Sequence, residues 1–282
     1  MDVQTYKSVQ AYLAQVQPLL EAREVEHCLM QGIALNIRRS PALEKNAYFI
    51  TVADQGAVVA SALVTPPFNV LLGVYQPDVD AALELLVARV VEEQWPVPGV
   101  LGDVEESLFF AETYQRLTGR TYSKNMSERL FMLTEVAFPR PAPGRLRMAT
   151  KKDFKQLLEW NRAFFAEALP DMPPEDDSKQ MISRITHGDY WIWETPEQEP
   201  VSMAATSRAL STTISIGLVY TPPALRGRGY AANCVATLSQ HLLEQGWQSC
   251  NLFTNLANPI SNAIYQKIGY RAVKDFQIYR IA

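Results

Sequence analysis

The chain repeats itself, and that repetition narrows its fold more than any other feature. Residues 48–64, YFITVADQGAVVASALV, run parallel to residues 190–206, YWIWETPEQEPVSMAAT. Tyr75 closes LLGVY as Tyr220 closes IGLVY, and EEQW ends at Trp95 as EQGW ends at Trp247. TYQRLTG at 113–119 echoes IYQKIGY at 264–270. One echo alone is weak; four in the same order indicate an internal duplication. Between the copies lies FPRPAPGRLR at 138–147, whose three prolines and glycine read as a linker. The chain of 282 residues therefore divides into domains at 1–138 and 139–282, each of ordinary domain size.

Hydrophobic periodicity gives both halves the same succession of elements. In the first, helices are expected at 4–22 and 24–37, strands at 48–53, 57–64 and 69–75, and a helix at 78–93. A strand near Val100, a helix at 105–117 and a strand at 122–133 complete it. In the second, helices fall at 151–168 and 176–186, with strands at 190–194, 201–209 and 214–220. A helix at 229–245, a strand at 249–254, a helix at 259–268 and a strand at 271–280 end the chain. The fold class is α/β (α+β).

The halves differ at one place. Tyr75 and Trp95 are 20 residues apart, Tyr220 and Trp247 are 27, so the first copy lacks seven. In the second copy those seven fall within 214–232, ISIGLVYTPPALRGRGYAA: an apolar strand, a diproline, an Arg/Gly turn and a helix start. Such a turn presents backbone N–H groups at a helix N-terminus, a seat for phosphate oxygens. Arg226 and Arg228 add fixed positive charge, while Gly227 and Gly229 remove the Cβ atoms that would hold a diphosphate away. The first copy has Asp78 and Asp80 there, which repel phosphate. Only the second half is expected to bind a phosphorylated cosubstrate. A dinucleotide-binding reading of Gly227-x-Gly229-x-x-Ala232 needs an acidic ribose ligand after the next strand; that strand ends in Phe253 and Thr254.

Composition sets outer limits. Hydrophobic residues make up 48% and charged residues 20%, and a net charge of −4 leaves no broad basic face, so nucleic acid is not an expected partner. The N-terminus MDVQTYKSVQ has no apolar secretory core, and no run approaches the roughly 20 apolar residues of a membrane span. A cytoplasmic location is the expectation. Cys28, Cys234 and Cys250 are widely separated and three histidines are scattered, so buried free thiols and no metal site are expected.

The run TPPALRGRGYA at 221–231 resembles motif A of the GCN5-related N-acetyltransferases, R/Q-x-x-G-x-G/A. The family's second signature, N…Y…GF, is similar to NPISNAIYQKIGY, with Asn258, Asn262, Tyr265, Gly269 and Tyr270. The first half matches in element order only, so the whole resembles a tandem protein with one degenerate copy. The resemblance implies two domains, each a mixed, centrally splayed β-sheet flanked by helices, and acetyl-CoA as cosubstrate without a metal. It implies that pantetheine pairs with the backbone of Val219, Tyr220 and Thr221. The diphosphate would lie on the amides of Arg226, Gly227, Arg228, Gly229, Tyr230 and Ala231, and Asn258 and Asn262 would contact the pantetheine arm.

By the same resemblance the reaction is direct attack of a primary amine, small-molecule or peptide, on the thioester, with Tyr265 donating to the departing thiolate. On a helical wheel Asn258, Asn262 and Tyr265 share one side, and Ile260, Ile264 and Ile268 are expected to enter the core on the other. Several relatives carry a glutamate where this chain has Phe253, so no general base is assigned; Glu167, Asp171 and Glu194 are the acids to examine. The acceptor cleft is expected beside Trp160, Phe164, Phe165 and Glu167. A non-catalytic acyl-CoA sensor is the alternative, and the chain is expected to be a monomer or homodimer.

Overall fold

The computed structural model describes residues 1–170 and 178–282. In chain order the elements of the first half are β1 (Asp2–Tyr6), α1 (Val9–Ala22), α2 (Cys28–Arg39), α3 (Pro41–Glu44), β2 (Tyr48–Asp54), β3 (Ala57–Val64), β4 (Val70–Val74), α4 (Asp80–Glu92), β5 (Gly99–Asp103), α5 (Val104–Thr118) and β6 (Tyr122–Leu133). The second half follows with β7 (Arg145–Met148), α6 (Phe154–Ala168), α7 (Ser178–His187), β8 (Tyr190–Glu194), β9 (Pro200–Ser207), β10 (Thr213–Tyr220), α8 (Tyr230–Glu244), β11 (Ser249–Asn255), α9 (Pro259–Ile268) and β12 (Arg271–Ile281). Apart from the short α3 the two series match element for element, as the duplication predicts. The helix expected from residue 4 is replaced at its start by β1. DVQTY alternates in exposure and pairs antiparallel with β2, so sheet-edge pairing outweighs any helical tendency there.

Contacts divide the chain into two compact units. The first comprises Met1–Leu130, Thr254–Asn258 and Ala272–Ala282. Its strands run in the order β1-β2-β3-β4-β5-β12-β6, with β4 and β5 parallel and β12 antiparallel to β5. One face packs on α4 and α5 through Leu83, Leu86, Val90, Phe110 and Tyr114, joined by Tyr279 and Ile281 of β12. The other packs on α1 and α2 through Tyr12, Leu13, Val16, Met30 and Ile37. The last strand of the chain thus lies beside β5 in the first unit. Its residues Tyr279 and Ile281 are buried in that core.

The second unit comprises Phe131–Phe253 and Pro259–Arg271. Its strands run β11-β10-β9-β8-β7, with β10 parallel to β11 and the others antiparallel. Under α8 and α9 the core holds Ile214, Ile216, Cys234, Leu238, Cys250, Leu252, Tyr265 and Ile268. Phe131 and Leu133, at the end of β6, complete that core. Under α6 and α7 it holds Leu157, Trp160, Met181, Ile185, Tyr190, Ile192, Met203 and Tyr220. Strand alternation sends each residue to one layer or the other.

Candidate functional site

β10 and β11 begin side by side and then part. Parallel pairing runs from Thr213 opposite Ser249 to Ser215 opposite Asn251 and goes no further, although β10 continues to Tyr220 and β11 to Asn255. The cause is a bulge in β10. Its register with β9 slips between Gly217 and Tyr220, and Leu218 takes a left-handed φ of 50°. An extra residue in one strand bends it, leaves its own backbone groups unpaired and re-aims side chains. Here Val219 turns toward the α8 layer and Tyr220 toward α6. The expected central splay is present, and the N–H groups near Val219 border it.

The turn that follows is shaped by proline and then by glycine. Pro223–Leu225 forms one 3-10 turn, and Gly227 and Gly229 take φ of 77° and 83°. Gly229 is the N-cap of α8, has no side chain to cap with, and no acidic residue occupies the first turn. The first N–H groups of α8 lack intrahelical acceptors by geometry, so the helix presents donors and the positive end of its dipole. A Cβ on Gly227 would meet nothing within 4 Å, so that space is open.

The two arginines behave differently. Arg226 was expected to face phosphate; instead its Nε donates to Thr221 O at 2.8 Å and a terminal nitrogen donates to Glu167 Oε2 at 2.7 Å. Its guanidinium lies 5.6 Å from the Tyr220 ring centroid, and Tyr220 Oη donates to Glu167 Oε1 at 3.1 Å. Arg226 therefore braces the strand end against α6, because Glu167 offers a charged acceptor that a solvated turn does not. Arg228 is exposed, with one long contact to Ala224 O at 3.4 Å. Tyr230 is buried by its ring, so its backbone N–H is what it can offer.

In α9 the core face is not the isoleucine stripe. Ile268 is fully buried and Ile264 partly so, but Ile260 is 72% exposed. The helix has ten residues, and its inward side is set by Tyr265 and Ile268 one turn apart, leaving Ile260 beyond the packed layer. Asn258 is exposed immediately before Pro259, and its N–H donates to Asn255 O. Asn262 is half-buried. Tyr265 is 8% exposed, with ring centroids 6.5 Å from Phe131 and 5.9 Å from Tyr270. Its hydroxyl has no hydrogen-bond partner among the described residues. Burial, with a smaller effect of Cys234, pushes its phenol well above the usual value near 10. Its counterpart Tyr114 accepts from Arg120 at 3.4 Å, so the first copy's hydroxyl is occupied.

The first unit has closed its own gap. β4 and β5 pair at Val70–Val100 and Leu71–Leu101 only, but a Cβ on Gly73 would lie 2.9 Å from Tyr75 Oη and 3.0 Å from Met30 Sδ. Tyr75, Ser61 and Tyr12 are joined by hydrogen bonds of 2.7 and 3.0 Å. Side chains fill the place where the second unit is open.

Three acids were candidates for a base. Glu194 is no surface carboxylate: it is buried at the end of β8 and accepts from Arg145 and Arg147. Burial would raise it, but the two arginines together bring it below the ordinary carboxylate range, so it is a poor proton acceptor. Glu167 is held by Tyr220 and Arg226, and Asp171 lies outside the described residues. Trp160 is a core residue 6.5 Å from the Tyr220 ring, and Phe164 packs at the same layer. Phe165 stands edge-on to Phe164.

Sequence patterns passed over Arg208, which follows β9 with φ of 44°. Its Nε donates to Ser215 Oγ at 3.1 Å, Ser215 to Asn251 Oδ1 at 2.6 Å, and Asn251 Nδ2 to Thr213 Oγ1 at 2.8 Å. Ser215 and Asn251 are the last pair before β10 and β11 part. No motif signals an isolated arginine in SRALSTT; only the pairing of three strands does.

Residues 196–281 match the family model described as FR47-like protein. None of the curated proteins matches the chain. Among solved structures, a GCN5-related N-acetyltransferase from Sphaerobacter thermophilus aligns over 99% of this chain and 95% of its own, with TM-score 0.64 and 17% identity. The chain has the GCN5-related N-acetyltransferase fold. A GNAT-family acetyltransferase from Colwellia psychrerythraea aligns over 100% and 99%, with TM-score 0.59 and 12% identity. A tandem GNAT protein from the clavulanic acid biosynthesis pathway aligns over 100% and 98%, with TM-score 0.58 and 11% identity. The tandem arrangement read from the repeat thus has a full-length structural counterpart. Among the described residues no helix is long and apolar enough to cross a membrane, and no group of three His, Cys, Asp or Glu could hold a metal.

Proposed function

We propose that the chain is an N-acetyltransferase that uses acetyl-CoA and a primary amine, and that its second unit carries the reaction. One observation supports this above the rest: the open parting of β10 and β11 leads directly to the uncapped, glycine-lined start of α8. The first copy has the parting filled and the turn missing. Val219, Tyr220 and Thr221 offer backbone groups to the pantetheine amides, and the N–H groups of 226–231 with Arg228 take the diphosphate. Arg226 acts on the turn by fixing Thr221 and Glu167. Asn258 and Asn262 approach the pantetheine arm from the start of α9.

Backbone N–H groups at the bulge stabilise the oxyanion that forms as the amine attacks the thioester carbonyl. Tyr265 then donates its proton to the sulfur as the carbon–sulfur bond breaks. Burial keeps the phenol protonated at every working pH, so the donor is always charged with its proton; it also makes the phenol a weak acid, so its effect comes from position. The amine loses its own proton to solvent, and Tyr265 regains one from solvent once CoA has left.

Titration calorimetry should detect acetyl-CoA binding, and a screen of amines for thiol release should detect turnover. Tyr265→Phe should lower kcat by about 100-fold while leaving acetyl-CoA affinity within a factor of about two. Unchanged turnover rejects the role of Tyr265. A non-catalytic acyl-CoA sensor is the second reading, favoured by Phe253 standing where relatives carry a glutamate and by the engagement of Glu167. It predicts binding with no thiol release from any amine.

A further inference from the structure

The donor chain that ends on Arg208 is a built feature of the second unit. Thr213, Ser215 and Asn251 are fully buried. Their hydrogen bonds run one way: Arg208 to Ser215, Ser215 to Asn251, Asn251 to Thr213, and Thr213 to Ser249 O at 3.3 Å. Ser215 Oγ accepts from the Arg208 N–H, so its own proton goes to Asn251, and Arg208 is the head of the chain. The guanidinium is also placed 5.9 Å from the Phe253 ring centroid. Backbone and side chain together hold a positive charge in one position.

That charge has no carboxylate partner among the described residues. Only Nε is used; the two terminal nitrogens have no acceptor there. A half-buried arginine held by a buried network, at a left-handed φ that a non-glycine residue seldom adopts, is not a solvated surface charge. Its position decides the meaning. Ile214, Ile216, Cys250 and Leu252 point to the α8 layer, so Ser215, Asn251 and Phe253 point to the opposite layer, where α6 packs. Ser215 and Asn251 are the last paired residues before the strands part, and Tyr220 with Glu167 lies at the far end of the same layer. Strand rise puts Ser215 roughly 10–13 Å from the bulge amides near Val219.

Resting on the acetyltransferase reading, we infer that Arg208 recognises a carboxylate on the amine acceptor, with that carboxylate several bonds from the attacking nitrogen. The terminal nitrogens make a planar fork that fits a carboxylate, and the apolar ring of Phe253 lies beside the guanidinium. Phe253, which replaces the acid of some relatives, thereby avoids neutralising Arg208. The acceptor class is an amine with a carboxylate several bonds away, as in an ω-amino acid or a short peptide.

The test compares acceptors that differ only in charge: 6-aminohexanoate against 6-aminohexanamide, and glycylglycine against glycylglycinamide. Wild-type protein should use at least one carboxylate about tenfold better than its amide in kcat/KM. Arg208→Gln should erase that preference by raising KM for the carboxylate with kcat little changed, Arg208→Lys should restore part of it, and acetyl-CoA affinity should be unaltered in both. Equal use of acid and amide by wild-type protein, or no turnover of either acid, overturns the inference. So does an equal loss on both members of a pair in Arg208→Gln. In those cases thiol release from any other amine still upholds the acetyltransferase reading; no thiol release from any amine, or no acetyl-CoA binding, in wild-type protein removes that reading itself.

Discussion

His27 shows how a single buried group ties folding to pH. It is the N-cap of α2 in the first unit, is nearly buried beside the Tyr75 ring, and its Nε2 has no partner among the described residues. Burial first, then the charges of Arg23 and Lys274, lower its pKa from about 6.5 to about 4. Below pH 6.5 the unfolded chain takes up a proton at this site and the folded chain does not until about pH 4. Stability from His27 is therefore complete above pH 6.5 and falls as pH drops through that window, by about 3 kcal/mol in total. Thermal melts at pH 7.0 and 5.0 should show this loss, and His27→Gln should flatten it. An equal slope in the variant would assign the dependence elsewhere. Residue identity was readable for Tyr265 and the glycines because a motif names them. For His27 and Arg208 nothing local distinguishes them from surface residues; neighbours distant in sequence do.

At the level of elements, the start of α8 is where local sequence and chemistry agree. Pro222 and Pro223 end the strand, and two glycines at positive φ turn the chain into the helix. Gly227 is the informative position because no protein atom would touch its Cβ. Gly227→Ala should cost about 1 kcal/mol of stability through backbone strain alone, measured by denaturant unfolding. If the open space holds diphosphate, acetyl-CoA affinity should fall at least tenfold. A stability loss with affinity intact would make Gly227 a turn residue and nothing more. The boundaries of α4, α5, α8 and β2 to β5 follow the hydrophobic period closely. The bulge in β10 does not, since LVY reads as plain strand and only its pairing with β9 exposes the extra residue.

Across the whole molecule, the duplication predicts two like halves, and the element order agrees. The compact units, however, do not end at the proline-rich segment. β12 pairs with β5 through five residue pairs from Phe276–Asp103 to Arg280–Gly99, and Tyr279 and Ile281 enter the first unit's core. Removing residues 272–282 should destabilise the first unit by about 5 kcal/mol, since each buried side chain contributes roughly 2–3 kcal/mol. That is comparable with the stability of a domain. Amide exchange at Gly99–Asp103 should accelerate sharply in the truncated chain; unchanged protection would show that β12 contributes little. A cut at 138 takes Phe131 and Leu133 from the second unit's core as well, so isolated halves are poor tests of function.

The sequence by itself determined the repeated order of strands and helices, the α/β class and the glycine turn, because periodicity, proline and glycine act over a few residues; the splay was implied only by the family resemblance. Tertiary structure alone decided that Arg226 binds Glu167, that Arg208 is held by Ser215, itself bonded to Asn251, with no carboxylate partner among the described residues, and that β12 closes the first unit. Those outcomes depend on groups tens to hundreds of residues apart competing for the same partners. Such a competition is resolved by burial and hydrogen-bond geometry, and no short stretch of chain records its result.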